Sequence, residues 1–137
     1  MKAQLSISPC QRITWDKNMK KVLIIDDDLS ILEAMKLAVE MHGYQVVTLS
    51  NAEDAEARVI QVKPDIVLLD VLLSGIDGRD IAYKIKKDPN TKTIPVIMLS
   101  ASPQTDRSSR DFGADDFLAK PFELHELFKL IDKYLKV

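Results

Sequence analysis

Pro64-Asp65-Ile66-Val67-Leu68-Leu69-Asp70-Val71-Leu72-Leu73-Ser74-Gly75-Ile76-Asp77-Gly78 reads as a turn, a strand, an acid and a second turn. Lys63-Pro64-Asp65 is the opening turn signal, and the four apolar residues Ile66 to Leu69 include two β-branched side chains. A short apolar run bounded by turn residues predicts a strand buried on both faces, the kind that parallel sheets contain. The run stops at a carboxylate, Asp70. Two glycines, Gly75 and Gly78, then mark a sharp turn in the chain. The C-terminal ends of parallel strands are where open α/β sheets bind ligands. A lone aspartate at such a place more often just ends its strand, so the weight falls on what accompanies Asp70.

Outward from this stretch, strand and helix patterns alternate. Val22 to Ile25 predicts a strand that ends at Asp26-Asp27-Asp28. From Ser30 a helix follows, with Ile31, Met35, Ala38, Val39 and His42 on its apolar face and Gly43 as its C-terminal stop. Gln45 to Leu49 is strand-like. Ala52, Ala55, Val59 and Val62 form the stripe of a second helix. After Asp70, a helix from about Gly78 buries Ile81, Ala82 and Ile85 and ends at Asp88-Pro89. Ile94 to Leu99 predicts a strand ending at Ser100. The segment Ser102 to Asp111 is polar with almost no apolar stripe. A short strand from Asp116 to Ala119 leads into Lys120-Pro121-Phe122. The last helix carries Leu124, Leu127, Phe128, Ile131, Tyr134 and Leu135. Five alternations with connections of crossover length predict a doubly wound α/β fold. The expected sheet has five parallel strands in the flavodoxin-like order 2-1-3-4-5, with helices on both faces. Residues 1–18 lack a periodic apolar face and read as an N-terminal tail, with Met19 as the expected true start and 19–137 as the domain. The chain ends with its last helix, so no appended domain is expected.

The chain has 137 residues, 46% of them hydrophobic, which predicts one globular domain with an ordinary core. A formal charge of -2 gives no basic footprint, so nucleic acid is not expected as a partner. The single cysteine, Cys10, cannot form an internal disulfide or complete a cysteine metal site. No apolar run reaches the length of a membrane span, so no membrane partner and a cytoplasmic location are expected.

Four strands end in chemically useful groups: Asp26-Asp27, Asp70, Ser100 and Lys120. A parallel sheet brings these ends to one edge, at the switch point where the first strand lies beside the third. Carboxylates crowded there repel each other, and a hard divalent cation such as Mg²⁺ relieves the conflict through oxygen ligands. Lys120 supplies a point charge suited to a phosphate oxygen, and Ser100 a hydroxyl donor. Carboxylate nucleophile, cation, ammonium and hydroxyl together predict phosphoryl transfer.

The chain from about Lys20 to Leu135 resembles the receiver domain of two-component response regulators, in its single-domain, chemotaxis-type form. The pieces that carry the resemblance are Val22 to Asp28, Pro64 to Asp70, Gly75 to Gly78, Pro95 to Ala101, and Gly113 to Phe122. The resemblance implies that Asp70 is the phosphoacceptor. It implies that Asp26, Asp27, Asp70 and the backbone carbonyl of Leu72 hold Mg²⁺, and that Ser100 and Lys120 bind the phosphoryl oxygens. Phe117 matches the aromatic switch position, although core filler is an equal reading of it. The Lys120-Pro121 bond is expected to be cis. A histidine kinase or phosphotransfer protein would be the donor, and an unidentified protein the downstream target. Such a module is not an enzyme beyond its own phosphorylation and dephosphorylation. Ser74 departs from the family's common proline and Ser100 from its commoner threonine.

A rival reading takes Asp26-Asp27-Asp28-Leu29-Ser30 as the nucleophile motif of a haloacid-dehalogenase-type phosphatase, with Asp26 attacking and Asp28 as acid/base. It leaves Asp70, Gly78 and Lys120-Pro121-Phe122 without a role. A scaffold without phosphorylation would lack a site residue, and none is missing. Asp28 reads better as a helix N-cap than as a ligand. His42 is expected at a helix end and His125 on the surface. Asp115 and Asp116 precede a strand and are expected to serve a turn.

Overall fold

The computed structural model describes residues 19–73, 75–101 and 112–135. The elements in chain order are β1 (Lys21–Ile25), α1 (Leu29–Met41), β2 (Gln45–Leu49), a 3₁₀ turn (Ala52–Asp54), α2 (Ala55–Val62), β3 (Ile66–Asp70), β4 (Leu72–Leu73), β5 (Ile76–Asp77), α3 (Gly78–Lys87), β6 (Val96–Ser100), β7 (Asp116–Ala119) and α4 (Leu124–Leu135). Five strands form one sheet in the order β2-β1-β3-β6-β7, and every pairing in it is parallel. Counting only these strands, the order is the expected 2-1-3-4-5. The polar segment falls on residues 102–111, outside the described residues, as do the tail 1–18 and Ser74.

The sheet has a core on each face because successive strand side chains point to opposite sides. Val22, Ile24, Ile66, Leu68, Ile97, Leu99 and Leu118 pack with Leu32, Met35 and Val39 of α1 and Leu127, Ile131 and Leu135 of α4. Leu23, Ile25, Val67, Leu69, Val96 and Met98 pack with Ala55 and Val59 of α2 and Ile81, Ala82 and Ile85 of α3. Every residue of β3 is buried, as its unbroken apolar run requires.

Several boundaries and faces differ from expectation. The buried residues of α1 are Leu32, Met35 and Val39, while Ile31 is half-buried and His42 exposed. Both stripes fit a 3.6-residue period, and contact with the sheet chooses between them. Leu124 is 48% exposed, so α4 buries only Leu127, Ile131 and Leu135. β6 begins at Val96 rather than Ile94, because Pro95 has no N–H for the ladder and offers only its carbonyl, to Val67 N. The antiparallel pair β4–β5 was not expected. Its residues match Leu72 with Asp77 and Leu73 with Ile76.

Asp28 caps α1, its carboxylate accepting from Ser30 N and Ile31 N. Asp115 accepts from Val96 N and Lys86 Nζ, each at 2.8 Å, and so ties the start of β7 to β6 and α3. Asp116 accepts from Phe117 N and from the Tyr134 hydroxyl of α4. His42 stacks on Phe128 with ring centroids 4.0 Å apart and bonds Asp132, which also accepts from the buried Tyr44 hydroxyl.

Candidate functional site

The sheet delivers its chemistry at the C-terminal edge of β1, β3, β6 and β7. β1 and β3 lie side by side, with Ile25 opposite Leu69, so Asp26 and Asp70 emerge as neighbours. Asp26 is 2% exposed, Asp70 8%, and Asp27 is open to solvent. One carboxylate oxygen from each of Asp26, Asp27 and Asp70 falls within a group whose members are all within 4.8 Å of one another. Lys120, directly after β7, reaches across the edge. Its Nζ is 3.5 Å from Asp70 Oδ2 and 3.6 Å from Asp26 Oδ2.

The hydrogen bonds distribute unevenly over these acids. Asp26 Oδ1 accepts from Asp28 N at 2.9 Å. Asp26 Oδ2 is buried with no hydrogen-bond partner and only the longer ion pair to Lys120. Asp70 Oδ1 accepts a long bond from Leu72 N, at 3.4 Å. Burial raises the Asp70 carboxyl above its ordinary range; Lys120 opposes that rise, and the negative charge of Asp26 adds to it. A buried, unsatisfied carboxylate oxygen in an all-oxygen cluster fits a hard divalent cation, which would satisfy that oxygen and offset the repulsion.

Ser100 ends β6 and is 2% exposed, and its carbonyl accepts from Lys120 N at 2.8 Å. The Lys120–Pro121 peptide is cis. Phe117 lies on β7 opposite Met98, half-buried against the core shared with α2 and α3. Leu72 sits two residues past Asp70 with its side chain 72% exposed, so it does not pack on the loop. Asp26, Asp27, Asp70, Ser100 and Lys120 therefore all lie at one edge, and Phe117 stands on β7 two residues before Ala119, the partner of Ser100.

Of the two glycines expected to mark the turn, Gly78 also opens α3, where the sequence predicts a helix to begin. The turn residue is Gly75, with φ +72, whereas Gly78 is the first residue of α3 and lies against the backbone of Asp70. The sequence predicts the helix start at Gly78, but the close approach to the Asp70 backbone follows from the path of the chain. Asp28 is absent from the acid cluster because its carboxylate caps α1, which removes the acid/base that the phosphatase reading needs.

The family model described as "Response regulator receiver domain" matches residues 22–132. The chain belongs to that family. The receiver domain is the phosphoacceptor signalling module of two-component response regulators, and the haloacid-dehalogenase alternative has no support. The phosphate regulon transcriptional regulatory protein PhoB of Pseudomonas aeruginosa is 38% identical over 119 residues, 85% of this chain and 52% of PhoB. The DNA-binding dual master transcriptional regulator RpaA of Synechocystis is 35% identical over 86% of this chain and 50% of RpaA. The protein PilH of P. aeruginosa is 35% identical over 85% of this chain and 98% of PilH. The receiver thus spans about half the length of the transcriptional regulators it matches. With a DNA-binding regulator among these relatives, the exclusion of nucleic acid made from net charge is withdrawn.

Among solved structures, a response regulator from Chloroflexus aurantiacus superposes with a TM-score of 0.82 at 34% identity, covering 88% of this receiver and all of that chain. The receiver domain of a P. aeruginosa sensor histidine kinase, with a magnesium ion coordinated in its active site cleft, superposes with a TM-score of 0.79 at 25% identity. The match covers 87% of this receiver and 99% of that chain. Among the described residues, no helix is long and apolar enough to cross a membrane.

Proposed function

We propose that Asp70 is the residue that accepts the phosphoryl group, from the phosphohistidine of a histidine kinase or phosphotransfer protein. The observation that carries this reading is the shared ammonium of Lys120, 3.5 Å from Asp70 Oδ2 and 3.6 Å from Asp26 Oδ2. Asp26, Asp27, Asp70 and the Leu72 carbonyl would hold Mg²⁺, which supplies positive charge against the phosphoryl oxygens when bound. An Asp70 carboxylate oxygen attacks phosphorus in line. The P–O bond forms as the P–N bond to the donor imidazole breaks, and that nitrogen leaves with the bonding pair. Lys120 neutralises charge on the transferred group, and the Ser100 hydroxyl donates to one of its oxygens. Lys120 already stands beside both acids before transfer, while the Ser100 hydroxyl, at the end of β6, moves in to meet the transferred group.

Phe117 serves as the switch in this reading. A phosphoryl group that draws Ser100 inward opens space for the Phe117 ring, and the resulting shift in population alters the surface offered to a downstream protein. The finer proposal is a regulator of chemotaxis type, acting in the cytoplasm and catalysing only its own phosphorylation and dephosphorylation. Residues 19–137 would form the working domain.

The decisive experiment is labelling by a phosphohistidine donor or a small acyl phosphate, with Mg²⁺ and with EDTA. Label should appear only with Mg²⁺ and should be absent from Asp70→Asn. Retained label in that variant, or full labelling in EDTA, would overturn the assignment.

A further inference from the structure

We infer that Gly78 is a positioning residue for Asp70, its bare backbone forming the seat on which the acceptor's own peptide rests. The inference depends on the assignment of Asp70 as acceptor and cation ligand. The chain leaves β3 at Asp70, runs out along β4, turns at Gly75 and returns along β5. It arrives against its own starting point at the first residue of α3. A Cβ on Gly78 would stand 2.1 Å from the Asp70 carbonyl oxygen and 3.1 Å from both the Asp70 carbonyl carbon and Val71 Cα. The Gly78 N–H donates to the Val71 carbonyl at 2.8 Å, which fastens the two backbones together.

Three observations separate this contact from ordinary packing. All three neighbours are backbone atoms, so no side chain can swing aside. Gly78 is not among the residues with positive φ, which are Lys63, Gly43, Gly75 and Gly113 among the described residues. Its conformation would accept alanine, and only space forbids it. The third observation is location. The contact is made by the peptide of the residue whose carboxylate lies 3.5 Å from Lys120 and belongs to the acid cluster.

Relieving a 2.1 Å approach to an ordinary contact of 3.4 Å needs a backbone shift of more than about 1 Å. β3 is held on both sides, by β1 and β6, through Leu69 and Asp70 respectively. Asp70 closes the strand, so the shift falls on the acceptor and on the loop after it. Ligand constellations and reacting groups tolerate a displacement of that size poorly.

The test is a Mg²⁺ titration of the full chain, followed by amide NMR shifts, for wild type, Gly78→Ala and Gly43→Ala. Gly43 has φ +109 and open space around it, so its alanine variant is strained without colliding and lies away from the acids. Gly78→Ala should weaken Mg²⁺ by about ten-fold or more, as loss of a supporting group around a metal site does. It should also slow labelling by an acyl phosphate, while Gly43→Ala keeps the wild-type affinity. Wild-type Mg²⁺ affinity in Gly78→Ala would overturn the inference. A second measurement does not depend on that variant folding. In wild type, Mg²⁺ should slow hydrogen exchange at the Gly78 amide several-fold, and an unchanged rate would also overturn it. A wild type that neither binds Mg²⁺ nor labels at Asp70 would defeat the acceptor assignment itself, and this inference with it.

Discussion

Asp70 is held where its charged form is disfavoured. Burial raises its pKa first, the charge of Asp26 adds to this, and Lys120 and the Leu72 N–H offset only part. A carboxyl raised in the folded state binds its proton more tightly there than in the unfolded chain. The stability tied to it is therefore full below the unfolded value and is lost as pH rises through the folded one. In EDTA, Asp70→Asn should melt a few degrees above wild type near neutral pH, and the gap should close as pH falls toward about 4, the range of an ordinary carboxyl. Mg²⁺ should raise the melting temperature of wild type and leave the variant unmoved. Melting curves in both buffers check this, and a gap that does not change with pH would contradict it. The sequence shows Asp70 as an acid ending a buried strand, because a short apolar run bounded by turn residues is a local signal. It does not show the seat beneath Asp70, because the approach of Gly78 depends on a return path through β4 and β5 that no local pattern encodes.

Among the elements, α1 shows where the limit of local reading lies. Its start is legible, since an aspartate before an apolar stripe is a capping signal, and the Asp28 carboxylate does accept from Ser30 N and Ile31 N. Asp28→Ala should cost about 1 kcal/mol of stability, measurable by urea unfolding. It should leave Mg²⁺ affinity unchanged, since Asp28 lies outside the acid cluster. A several-fold loss of Mg²⁺ binding would put Asp28 back among the ligands. The face that α1 buries was less legible. Ile31 and Leu32 are adjacent, each begins a plausible stripe, and the sheet selects the one through Leu32. The same holds for α4, where Leu124 continues the apolar spacing but lies beyond the reach of the sheet. Leu130 of the same helix is half-buried against the core on the α1 and α4 side.

For the molecule as a whole, the family match begins at residue 22 and β1 at Lys21, so the fold is expected to form without the first 18 residues. A chain beginning at Met19 should keep its melting temperature. A fall of several degrees, corresponding to about 1 kcal/mol in a domain of this size, would show that the leading segment packs on the domain. The alternation that builds the two cores has a consequence at the working edge. Asp70 continues the series Ile66 and Leu68, on the side of α1 and α4, while Ser100 continues Val96 and Met98, on the side of α2 and α3. The sheet is a partition, and its acceptor and its hydroxyl stand on opposite sides of the wall, meeting only over the top. A group gripped by both straddles that wall. Phe117 shares the side of Ser100, so a pull on the hydroxyl would act in the compartment that holds the ring, while the load on Asp70 would fall in the other.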